Sequence, residues 1–113
     1  MSIIDNENTG SSKDYKSLVE VISNRLGYLP GLTIVLDIYS KKRYNKNFIR
    51  LILEDIKSAY DVLVDVLESS ESAEIILTYI LEALIHDETL INKILSDLKK
   101  GKKLSIKELL RSS

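Results

Sequence analysis

The chain has 113 residues, enough for one domain around one core, and no cysteine, which excludes disulfide scaffolds, thiolate metal sites and cysteine nucleophiles. Leu, Ile and Val supply 39 residues against 29% charged ones, a globular balance and not a disordered one. The net charge of −1 conceals segregation: residues 41–50 carry five bases and no acid, residues 51–74 carry seven acids against Lys57, and residues 99–111 carry six bases against Glu108.

Residues 1–12 are short, polar and rich in turn formers, and read as a flexible tail ahead of a single domain over 13–113. They contain no apolar run of the kind that a signal peptide or membrane anchor needs. With the absence of cysteine this favours a cytoplasmic, intracellular chain. Ser11 or Ser12 is placed to cap the first helix, with Asp14 in its first turn. That helix shows Tyr15, Leu18, Val19, Ile22 and Leu26 on one face, and Gly27 is expected to end it in a left-handed conformation.

Leu32 to Tyr39 is rich in β-branched residues, yet no second strand exists to satisfy its backbone. It therefore reads as a helix starting near Pro30, with Leu32, Val35, Leu36 and Tyr39 on its apolar face. After the basic linker, Asn45 is the expected N-cap of the longest helix, roughly 46–68. Ile49, Ile52, Ile56, Ala59, Leu63 and Val66 form its seam.

A Ser/Glu break at 68–72 leads into Ala73–Ile85, where ten of thirteen residues are apolar. Glu74, Thr78 and Glu82 recur every fourth residue, with His86 continuing the row, so one narrow stripe is expected to meet water on an otherwise covered central rod. Asp87 is the expected cap of the next helix, and Gly101 its stop. Ser105 and Glu108 make a capping box, with Leu104 and Leu109 at staple spacing and Leu110 beside them, for a short last helix. The fold class is all-α: a compact bundle of five helices plus a short C-terminal one.

Few chemistries survive this reading. One histidine, four scattered glycines and no nucleophile elbow leave no catalytic triad and no phosphate loop, so no enzyme and no cofactor is expected. Glu82 and His86 are four apart, not at the Glu-x-x-His spacing of di-metal bundles, and read as a helix end beside a capping Asp87. Glu54-Asp55-Ile56-Lys57 matches an acid-x-Lys nuclease element, but it falls within the longest helix where a strand is required.

The remaining signal is basic. Lys41, Lys42, Arg43, Lys46 and Arg50 alternate with Tyr39, Tyr44 and Phe48, and Lys99, Lys100, Lys102, Lys103 and Lys107 form a second cluster. Cations reach phosphates and aromatics stack on bases, but charge runs more commonly solvate a surface, and the domain as a whole is acidic. The expectation is a non-enzymatic interaction or adaptor subunit of a larger, nucleic-acid-associated assembly, bound to a protein partner and not to a membrane. The alternative is a direct nucleic-acid-binding module using 41–50 and 99–111. A homodimer is left open by the seam of the longest helix.

Overall fold

The fold is built around a twelve-residue helix with neighbours on several sides. In the computed structural model, which describes residues 15–106, 108 and 109, the elements are α1 (15–26), α2 (Pro30–Tyr44), α3 (Phe48–Glu54), α4 (Ile56–Leu67), α5 (Ser70–Leu84) and α6 (Glu88–Lys99), followed by helical residues at 106, 108 and 109. No strand occurs among the described residues, and the chain is an all-α bundle. The expected tail at 1–12, the caps at Ser11 or Ser12, Asp14 and Leu110 lie outside the described residues.

The hub is α4 and not the rod at 73–85. Helices α2, α3, α5 and α6 all pack on α4, whose Ile56, Ala59, Val62 and Leu63 are fully buried. Helix α5 buries Ala73, Leu77, Ile80 and Leu81 against this core, but its outer arc is wider than the expected polar stripe and includes Ile75, 68% exposed. The row also stops early. Helix α5 ends at Leu84, Ile85 is extended, and exposed His86 lies beyond the helix. A reciprocal clamp holds α1 on α5: the Arg25 guanidinium donates to the Tyr79 carbonyl at 3.0 Å, and the Tyr79 hydroxyl donates to the Arg25 carbonyl at 3.0 Å.

The helix expected over 46–68 is two helices, divided at Asp55. Leu51, Ile52 and Leu53 are all buried, so α3 is covered most of the way round, whereas α4 buries one face. Asp55 makes the joint by ending α3 through its backbone N–H to the Leu51 carbonyl, 2.7 Å, and capping α4 with its side chain. Its carboxylate accepts from the Ser58 N–H at 3.2 Å and the Ser58 hydroxyl at 2.7 Å. The C-terminal segment closes what is left: the Ile56 N–H donates to the Leu104 carbonyl at 2.8 Å, and the Ser105 hydroxyl donates to the Leu53 carbonyl at 3.4 Å.

Other helix ends follow local rules, with corrections. Asn47, not Asn45, caps α3 by accepting from the Arg50 N–H, while Asn45 ends α2 in the left-handed conformation at φ 58°. Gly27 stops α1 in a turn without positive φ. A Cβ there would lie 3.2 Å from the Asn24 carbonyl oxygen, so the constraint is space. Asp87 and Ser105 cap as read from the sequence, and Gly101 closes α6 at φ 88°, whereas the break at 68–72 is shorter than expected, with Ser69 capping a helix that starts at Ser70. Leu104 and Leu109 pack on the core around fully buried Ile106.

Replacing Asp55 with Ala removes the cap and strands the Ser58 hydroxyl, which should lower stability by about 1–2 kcal/mol. Replacement with Asn or Ser, which keep an acceptor, should recover most of that. Urea unfolding followed by circular dichroism checks the ranking.

Candidate interaction surface

The rotation of α2 about its own axis decides what the surface offers. Helix α2 is apolar around most of its circumference, so hydrophobicity alone does not choose its inner face. Two polar side chains choose it. The Thr33 hydroxyl is shared between the Leu26 and Leu29 carbonyls at 3.0 and 2.9 Å, and the Asp37 carboxylate accepts from the Phe48 N–H at 2.9 Å, at the start of α3. With 33 and 37 turned inward, Leu36 and Ser40 are fully buried and Leu32 is half-buried. Val35 and Tyr39, expected on the apolar inner face, are instead exposed, at 38% and 41%.

Ile34 and Ile38 point to solvent at 63% and 58% exposure, and Tyr28 in the preceding turn is 79% exposed. Of the six exposed large apolar side chains among the described residues, five lie between 28 and 39, and Ile75 of α5 is the sixth. Scattered exposed apolar residues need no explanation, but a stripe at i, i+1, i+4, i+5 on one helix is a contiguous patch of the kind found at interaction sites.

The basic residues read from the sequence are divided by their partners. Arg43 pairs with Asp65 of α4 and has its guanidinium 5.6 Å from the Tyr44 ring centre. Lys46 and Arg50 share Glu54, at 2.8 and 3.2 Å. Lys99 pairs with Glu74 at 3.0 Å and Lys102 with Asp97 at 3.7 Å. Lys41, Lys42, Lys100 and Lys103 are exposed and have no carboxylate partner among the described residues. Phe48 is fully buried and Tyr44 packs half-buried on the core, so of the three interleaved aromatics only Tyr39 presents a substantial ring surface.

The C-terminal segment meets the chain beside Glu54. Leu104 and Ser105 bind Ile56 and Leu53, which flank the Glu54 that Lys46 and Arg50 share. The hydrogen bond from Lys46 holds the Glu54 carboxyl below the usual carboxylate range, against the opposing effect of burial, and Arg50 adds to the lowering. Burial pushes the Tyr60 phenol upward in the core beneath. Glu82, His86, Asp87 and Glu88 line one open depression where α5 gives way to α6. Among the described residues no three His, Asp or Glu side chains converge as metal ligands. The Asp55 carboxylate of the acid-x-Lys match is engaged in capping Ser58. No helix among the described residues is long and apolar enough to cross a membrane.

Compared with protein-family models, with curated proteins and with solved structures, the chain matches none of them.

The lowered Glu54 pKa fixes the sign of a pH effect. A carboxylate with a depressed folded pKa stabilises above its unfolded value and loses that contribution as pH falls through the folded one. Glu54→Gln should therefore be less stable than the parent by roughly 0.5–1 kcal/mol at neutral pH. The difference should shrink to nothing on acidification through the carboxylate range, as read by denaturant midpoints across pH.

Proposed function

We propose that this chain is a non-enzymatic helical interaction subunit that docks on a protein partner through the outer face of α2. The observation that carries this reading is the concentration of exposed apolar side chains at 28–39, ending in the unpaired Lys41 and Lys42. Covering such a patch is the favourable step in association: each largely exposed isoleucine adds about 1–2 kcal/mol when a partner removes it from water. The lysines at the end of the stripe favour a partner with carboxylates there and speed encounter more than they tighten binding. The bundle beneath keeps the face rigid, which limits the ordering cost of docking.

Direct nucleic-acid binding is the second reading, supported by Lys41, Lys42, Lys100 and Lys103, which are exposed and without a carboxylate partner among the described residues. Its weight is reduced by the carboxylates already paired with Arg43, Lys46, Arg50, Lys99 and Lys102.

An affinity pull-down with the parent chain and with the Ile34→Glu/Ile38→Glu double variant separates them. Both side chains are solvent-facing, so the variant should keep its helical circular dichroism while recovering the partner at least about tenfold less well. Equal recovery would overturn the α2 reading. Gel retardation of DNA or RNA that weakens with salt and is lost on Lys41→Glu/Lys42→Glu would replace it with the nucleic-acid one.

A further inference from the structure

The second patch on the bundle complements the first. Along the outer face of α5 runs an open groove lined by Glu71, Ile75, Thr78, Glu82 and Leu95, with Glu74 at its edge. Ile75 is the large apolar side chain in it that is most exposed, and Glu71 and Glu82 have no cationic partner among the described residues. Of the cations near the groove, Lys99 is engaged by Glu74 and Arg25 is held on Tyr79.

We infer that the α2 face of one copy of this chain docks antiparallel into the α5 groove of a second copy. This deepens the docking function proposed above by naming the occupant. Gly31 to Lys42 and Glu71 to Glu82 each span eleven residue steps, roughly 16 Å of helix. Antiparallel alignment lays Lys41 and Lys42 beside Glu71, and brings Glu82 to the N-terminal end of α2. That end has no acidic residue in its first turn and no side-chain cap, so its orphan N–H groups and positive dipole end receive a carboxylate. Ile34 and Ile38 then meet Ile75 and Thr78. Gly31, where a Cβ would have nothing within 4 Å, leaves room for close approach.

Two α2 faces do not complement each other in this way. Parallel alignment opposes lysines to lysines, and antiparallel alignment opposes them to an N-terminal turn without acids. One helix stripe on one groove is smaller than the roughly 800 Å² per partner of a standard stable interface, so the association is concentration-dependent.

Sedimentation velocity from about 10 μM to about 1 mM tests it, with mass expected to rise with concentration and fall back with added salt. Ile38→Glu blocks the α2 face and Ile75→Glu blocks the groove, and each variant alone should stay monomeric with parental circular dichroism. Mixed in equal amounts they should form a dimer, because the mixture holds one intact pair of faces. Charge reversal gives a second pair that leaves the packing untouched: Lys41→Glu/Lys42→Glu and Glu71→Lys/Glu82→Lys should each be monomeric and associate when mixed. A parent chain monomeric throughout, self-association unchanged in the variants, or a mixture that stays monomeric would overturn the contact. A monomeric parent that binds anionic phospholipid vesicles through Ile34 and Ile38 would assign the face to lipid and overturn it too. Partner recovery in the pull-down, lost in Ile34→Glu/Ile38→Glu while the parent stays monomeric, would sink this contact alone and leave the docking function standing.

Discussion

Asp55, with the C-terminal residues that bond its neighbours, holds the bundle where the helical backbone is interrupted between α3 and α4 inside the core. A break there would leave orphan donors and acceptors among fully buried Leu53, Ile56 and Ala59, each unmet group costing about 1–3 kcal/mol. The chain meets the requirement from two directions. Asp55 caps α4 locally, and Leu104 and Ser105 arrive from about fifty residues away to bind the Ile56 N–H and the Leu53 carbonyl. The last segment, short by sequence, therefore completes the core and does not merely trail from it. Ile106, fully buried, anchors it there.

The break also aims the helices that form the surface. By turning after α3, the chain lets α4 run through the centre and receive α2, α5 and α6. Helix α3 in turn ties down α2, since its first N–H is held by Asp37. With Thr33 this fixes the rotation of α2 and so exposes Ile34 and Ile38. The candidate face is thus a consequence of two inward polar side chains, because hydrophobicity alone does not choose the inner face of α2.

What the sequence disclosed and what it hid divide along the same line. Asp87, Ser105 and Gly101 announce helix ends through interactions within a few residues, and a local reading finds them. Asp55 uses the same local chemistry, but the apolar seam runs through it in phase, and three consecutive buried residues at 51–53 look like a widened seam until α3 is seen to be covered. Helix α2 hid its inner face because apolar residues surround it. Helix α5 hid Ile75 because a nearly all-apolar helix gives no sign of which arc lacks a neighbour. The basic segments were plain in the sequence, but their neutralisation by Asp65, Glu54, Glu74 and Asp97 is a matter of tertiary contact.

A distant segment closes the helix break, and amide hydrogen exchange at Ile56 reads this closure. The first N–H of an ordinary helix has no internal partner and exchanges readily. With Leu104 accepting from it, the Ile56 amide should be protected to the same level as the interior amides of α4, opening only when the whole domain opens. Exchange at the rate of an exposed helix start would contradict it, because Leu104 would then not be holding the joint.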